Sequence, residues 1–209
     1  HRIFCSTHYA ELASAAPDPN VKALTLAAKK VELEEAAEEI VEGSNVWLEL
    51  APSVLQAQPS LKAKEGSEEC FSRAKVLTVD ADKCKVRTES GVEVKTDRKL
   101  VYKMDAGRAQ ANNLMLVELN EPSLLQNLRA RFDEQKPYTY TGELELMCLN
   151  PYEKLKCYDE SVMQQCRDGT YPEPHTWAVS ERIFKALTDK GTVAQSVVVS
   201  GESGAGKTE

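Results

Sequence analysis

The stretch Gly201-Glu202-Ser203-Gly204-Ala205-Gly206-Lys207-Thr208-Glu209 decides the fold. It contains G-x-x-x-x-G-K-[ST], the spacing of the loop that wraps the phosphates of a nucleoside triphosphate. Small residues let successive backbone N–H groups converge on phosphate oxygens with no Cβ in the way. Lys207 supplies a mobile positive charge able to reach the β- and γ-phosphates, and the Thr208 hydroxyl is a natural ligand for the accompanying Mg²⁺. Just before the loop, Gln195-Ser196-Val197-Val198-Val199-Ser200 is short, β-branched and apolar, the composition of a buried parallel strand. The expected order is strand, loop, then a helix whose first N–H groups and dipole bind the anion. That helix would open near Gly206 or Lys207 with only Thr208 and Glu209 following, and the chain starts at His1, so the sequence reads as a piece of a longer protein.

Upstream of that strand, helical and extended patterns alternate. Val179, Ile183, Phe184 and Leu187 share one side of a helix that follows Pro172 and Pro174 and ends at Lys190-Gly191. Asp159 is placed to cap a shorter helix carrying Val162, Met163 and Cys166, which Asp168-Gly169 terminates. Tyr138 to Leu149 reads as a strand pair around Thr141-Gly142, and Leu124, Leu125, Leu128 and Phe132 define a helix that starts after Pro122 and ends near Asp133. These stripes are expected core. Helices alternating with strands and closing on strand–loop define an α/β nucleotide-binding core over residues 105–209.

Between residues 45 and 104 the period changes to two. Val46-Trp47-Leu48-Glu49-Leu50 and Cys70 to Val79 read as strands, Cys84-Val86-Thr88 alternate with Lys85 and Arg87, and Val92-Val94-Thr96 alternate with Glu93 and Lys95. Turns fall at Asp80-Ala81-Asp82-Lys83 and Glu89-Ser90-Gly91. Short strands with tight polar turns predict a small antiparallel barrel, serving as a structural appendage. Residues 1–44 form an N-terminal extension: loop to Asn20, then a charged helix from Val21 to Val41 that Gly43 stops.

The 209 residues, 42% of them hydrophobic, suffice for one or two small domains. A net charge of −7 argues against a nucleic-acid-binding surface. No apolar run approaches the roughly 20 residues of a membrane span, so no membrane span is expected. Six cysteines without a C-x-x-C pair, and three histidines without metal-ligand spacing beside them, predict free thiols in a reducing cytosol.

Beyond these patterns, several segments carry a family resemblance. The loop 201–209 has the form found in myosin motor domains. Leu119-Asn120-Glu121-Pro122 followed by Leu128-Arg129-Ala130-Arg131-Phe132 resembles the myosin Leu-Asn-Glu-Pro…Leu-x-x-Arg-Phe segment, and Tyr138-Thr139-Tyr140-Thr141-Gly142 is similar to the strand that comes next. Asn150-Pro151-Tyr152 looks like the Asn-Pro-aromatic element with Tyr158 at its second aromatic, and Pro174-His175-Thr176-Trp177-Ala178 resembles a helix start of the same family. All occur in the family's order across about residues 106–209, and the 45–104 region resembles the SH3-like N-terminal domain of many conventional myosins.

The resemblance implies an α/β P-loop NTPase core, an incomplete myosin head preceded by an SH3-like barrel, in a parent that binds ATP or ADP with Mg²⁺ and moves on actin filaments with light chains as partners. It implies a cytoplasmic, cytoskeletal location. Asn150, Pro151, Tyr152 and Tyr158 would flank the adenine ring, and Gly201, Glu202, Ser203, Gly204, Ala205, Gly206, Lys207 and Thr208 would hold the phosphates. Lys207 would neutralise charge, Thr208 would sit on Mg²⁺, and Ser203 would contact the γ-phosphate or the attacking water. Departures are Glu153 where a Lys is usual and Lys156 where a Pro is usual, which loosen or rewire the expected adenine contacts. The two further loops that sense the γ-phosphate and position water are not encoded in these 209 residues, so the chain alone is expected to be inactive as an ATPase. Two other readings are another P-loop NTPase with an N-terminal extension, and an inactive interaction module built on the barrel.

Overall fold

A computed structural model describes residues 40–61, 70–105, 107–189 and 194–208. The expected helix from Val21 to Val41 and the preceding loop lie almost entirely outside the described residues, as does the Lys190-Gly191 stop.

The alternating stretch folds as expected into strands β1 (Asn45–Glu49), β2 (Phe71–Val79), β3 (Lys83–Thr88) and β4 (Glu93–Asp97), joined by β5 (Val101–Lys103), which the sequence pattern did not single out. Along β3 the burial follows the period of two, with Cys84, Val86 and Thr88 inside and Lys83, Lys85 and Arg87 outside. Val46, Leu48, Ala74, Val76, Val94 and Val101 complete the apolar layer, capped by Val54 on the short helix α1 (Pro52–Ala57). On the solvent face Lys85 and Arg87 both bind Glu93, at 2.7 and 2.6 Å. The strands pair antiparallel in the order β4-β3-β2-β1-β5. That order is linear: β4 and β5 are its edges, and no pairing between them closes it into the expected barrel among the described residues.

Asn120 joins this sheet to the rest of the chain. Its Oδ1 accepts from Ser123 N–H at 3.1 Å, capping helix α2 (Glu121–Asp133), while its Nδ2 donates to the Lys103 carbonyl at the end of β5 at 2.9 Å. Pro122 follows at a first-turn position, where a missing N–H costs nothing. Leu128 of the predicted stripe is buried, Leu124 and Leu125 are half-buried, and Phe132 is exposed. The inner face of α2 is instead largely polar. Asn127 donates to Asn113 Oδ1 at 2.8 Å, and Asn113 donates to Thr141 Oγ1 at 2.9 Å, which ties α2 to the hairpin β6 (Tyr138–Thr141)–β7 (Glu145–Cys148).

Two helices follow. Helix α3 (Glu160–Asp168) starts after Asp159, whose side chain makes no capping bond, and ends on Gly169 in the left-handed conformation, as predicted for the stop. Helix α4 (Thr176–Thr188) carries the second predicted stripe, but Phe184 and Leu187 are exposed and Val179 and Ile183 only half-buried. The largest departure is the run Gln195–Ser200. It belongs to no strand, and Val198 is 79% exposed. A strand needs a neighbour to satisfy its backbone. The strand pairs among the described residues are all antiparallel and lie elsewhere, with a single parallel bridge, Asn112 to Tyr140.

Candidate functional site

Two glycines of the loop adopt a left-handed backbone. Gly204 and Gly206 have φ of +84° and +90°, values that side-chain-bearing residues rarely take. The turn closes through Ala205 N–H, which donates to the Glu202 carbonyl at 3.1 Å. Lys207 folds back over the same loop, its Nζ donating to the Gly201 and Glu202 carbonyls at 2.6 and 2.7 Å. Two donors, one backbone N–H and one ammonium, therefore converge on the Glu202 oxygen. Ser203, Glu202 and Thr208 are exposed, and Ala205 is half-buried.

A second segment, more than fifty residues away in sequence, lies against this loop. Asn150 Nδ2 donates to the Gly204 carbonyl at 3.2 Å, and the Tyr152 hydroxyl donates to the same oxygen at 3.4 Å. Hairpin β6–β7 delivers this segment, since Leu149 N–H is held by the Pro137 carbonyl at 2.9 Å. Its conformation is fixed locally: Tyr152 N–H donates to Asn150 Oδ1 at 2.9 Å across Pro151, and Tyr152 takes a φ of +53°, unusual for an aromatic residue. Tyr152 is 71% exposed beside the loop. Glu153, Lys154 and Lys156 are exposed.

The structure thus brings Asn150 and Tyr152 to the loop, with Pro151 half-buried between them. Tyr158 is engaged differently. Its hydroxyl pairs with the Tyr138 hydroxyl at 2.8 Å, and its ring meets His175 and Trp177 edge-on at centroid distances of 5.6 and 6.0 Å. Burial, then the bond from Tyr158, pushes the Tyr138 phenol far above its ordinary value.

His175 lies at the centre of this aromatic group and has no solvent exposure. Its Nδ1 accepts from Trp177 N–H at 3.1 Å and so caps α4, which makes the neutral ring protonated on Nε2. Burial lowers its pKa, opposed in part by the Cys157 backbone, and Nε2 has no partner of hydrogen-bonding geometry. Arg131 sits below the hairpin, 3% exposed, donating to the Tyr138 carbonyl at 2.8 Å, Thr139 Oγ1 at 3.0 Å and Glu173 Oε2 at 3.0 Å. Sequence patterns pointed to neither residue's role, since His is not among the usual N-cap types and a lone Arg on a helix reads as surface. A cavity of about 280 Å³ between α3 and α4, lined by Cys166, Tyr171, Ala178 and Arg182 among others, contains none of the predicted site residues.

The glycine loop, with its G-x-x-x-x-G-K-[ST] spacing, thus leans on the Asn150 turn that follows the hairpin. In comparison with known proteins, residues 110–209 match the "Myosin head (motor domain)" family. The chain is 34% identical over 174 residues to Myosin-8 of Arabidopsis thaliana, covering 80% of this chain and 10% of that protein. It is 38% identical over 152 residues to Myosin-6 of the same plant, covering 69% of this chain and 10% of that protein, and 31% identical over 176 residues to Myosin-11, covering 81% and 10%. The chain therefore spans about one tenth of the length of the curated relatives it matches. It belongs to the myosin head family and carries part of a myosin motor domain.

Proposed function

We propose that this chain is the N-terminal part of an actin-based motor, and that residues 201–208 hold the phosphates of Mg-ATP in the whole protein. The observation that carries this reading is the meeting of Asn150 and Tyr152 with the Gly204 carbonyl, which puts a base-sized aromatic surface beside a glycine loop of the right spacing. Lys207 currently rests on two neutral carbonyls, partners that a phosphate oxygen replaces with gain of a charge-assisted bond. Thr208 is the Mg²⁺ ligand, and Ser203 contacts the γ-phosphate or the attacking water. Asn150, Pro151 and Tyr152 flank the adenine ring, with Tyr158 completing that wall.

In this reading the 45–104 sheet corresponds to the SH3-like domain and residues 105–209 to the motor domain proper. Actin filaments and light chains act on other parts of the whole protein, in the cytoplasm and on the cytoskeleton. Phosphoryl transfer depends on water positioning and on a charge clamp around the γ-phosphate. The 209 residues supply the phosphate cradle, so the chain alone binds nucleotide with negligible turnover.

Calorimetric titration of the chain with Mg-ATP tests this proposal. Saturable binding that weakens at least roughly tenfold in Lys207→Ala, the loss of a charge-assisted contact worth about 1.5–3 kcal/mol, is the expected result. Equal binding by both proteins contradicts it.

A further inference from the structure

Resting on that nucleotide-site reading, we propose that Asn150 and Tyr152 are positioning residues of the phosphate loop, holding the Gly204–Ala205 peptide against rotation so that its N–H, rather than its carbonyl, faces the anion. Base flanking alone does not require this. Both side chains donate to one backbone oxygen, the Gly204 carbonyl. In a trans peptide the C=O and N–H point to opposite sides. Anchoring the carbonyl on Asn150 and Tyr152 therefore aims Ala205 N–H the other way, and there it meets the Glu202 oxygen at 3.1 Å. Lys207 Nζ reaches that same oxygen at 2.7 Å. The Glu202 oxygen thus marks the point where a backbone donor and an ammonium are already convergent, the geometry an oxyanion needs.

The anchor matters because the loop itself cannot hold this peptide. Gly204 has no Cβ and sits at a φ of +84°, so rotation of the peptide that follows it meets little steric resistance. A rotated peptide would present its oxygen to the anion. The brace, by contrast, is stiff: Pro151 limits the turn, Asn150 Oδ1 holds Tyr152 N–H at 2.9 Å, and Tyr152 pays for a left-handed φ of +53°. The loop also fits closely on the far side of Ala205, where a Cβ added to Gly206 would lie 3.2 Å from Asn150 Nδ2. One asparagine therefore touches the loop at both glycines.

The test uses a ligand without a base. The full 209-residue chain and its Tyr152→Phe and Asn150→Ala variants are titrated with Mg-tripolyphosphate and with Mg-ATP, and Tyr102→Phe serves as a hydroxyl deletion within the sheet. Each brace variant is expected to bind tripolyphosphate roughly 2- to 12-fold more weakly, the equivalent of about 0.5–1.5 kcal/mol for one lost hydrogen bond. Tyr102→Phe, which removes the hydroxyl bonded to Glu49 Oε2 at 2.8 Å, should bind tripolyphosphate as wild type does. Brace variants that lose Mg-ATP affinity but bind tripolyphosphate as wild type does would overturn the proposal and leave base contact as their sole role. Equal weakening in Tyr102→Phe would also overturn it. A wild-type chain that binds neither ligand would remove the nucleotide reading itself, and the brace with it.

Discussion

Arg131 and Glu173 meet at 3.0 Å across 42 residues of chain, Arg131 from the last turn of α2 and Glu173 from the segment leading into α4. Burial pushes the Glu173 carboxyl up, but the hydrogen bond and charge of Arg131, helped by Lys136, outweigh it and hold the group below its ordinary value. Removing the carboxylate leaves a buried guanidinium with only neutral acceptors. Glu173→Ala should therefore cost about 1–3 kcal/mol in denaturant unfolding, with Glu173→Gln between it and wild type. Because the folded pKa is depressed, this contribution is complete above the unfolded value near 4.3 and disappears as pH falls through the folded value. Wild type should thus lose more stability below about pH 4.3 than Glu173→Gln does, and parallel acid profiles would contradict the pairing.

The His175 cap makes a second pH prediction in a separate window. The ring is neutral when it accepts from Trp177 N–H, and burial lowers its pKa. Stability from the neutral form is present above the unfolded value of about 6.5 and lost progressively as pH falls toward the folded value. His175→Asn keeps a side-chain acceptor at the cap and does not titrate. The melting temperature of wild type should fall faster between about pH 7 and pH 5 than that of His175→Asn, and equal slopes would show that folding does not lower the ring's pKa.

Exposure sorts the valines of this chain. Val86 is fully buried in the sheet, whereas Val198 is 79% exposed. Val86→Ala should destabilise the chain by about 1–3 kcal/mol, and Val198→Asp should change stability by less than about 0.5 kcal/mol. Val198→Asp should also reduce self-association measured by light scattering, because three consecutive exposed β-branched apolar residues, Val197, Val198 and Val199, favour pairing between copies. A large loss of stability in Val198→Asp would mean that this run is packed in solution.

Gly206 tests the closeness of loop and brace. Its φ of +90° and the 3.2 Å approach of Asn150 leave no unstrained place for a side chain. Gly206→Ala should therefore weaken Mg-tripolyphosphate binding, and Gly206→Ala combined with Asn150→Ala, which removes the crowding, should be less impaired than the two single changes added together. Strict additivity would separate the two sites.

What the sequence disclosed depended on how local each relationship is. The burial of Cys84, Val86 and Thr88 followed from a period of two, because their partners on β2 and β4 lie within a few residues of tight turns. Helix α2 was legible from Pro122 and its apolar spacing, although its inner face is fixed by Asn127 and Arg131, whose partners no periodicity reveals. The run 195–200 has the composition of a buried strand, but burial is a property of neighbours, and in the described residues the run is exposed and belongs to no strand. Similarly, the glycine loop was plain from its spacing, and Asn150 and Tyr152 were marked through a family likeness, while their bonds to Gly204 span 54 and 52 residues with no local signal. Tyr158 was grouped with them through the same family likeness, and the structure places it against Tyr138, His175 and Trp177.

The most direct test of the central claim is a ¹⁵N–¹H correlation spectrum of the chain recorded with increasing Mg-ADP. The account predicts that the backbone amides of residues 201–208 and the side-chain amide of Asn150 shift together along one saturation curve, because one ligand engages the loop and the turn that braces it. Shifts confined to other residues, or loop shifts that leave Asn150 unmoved at saturation, would contradict it.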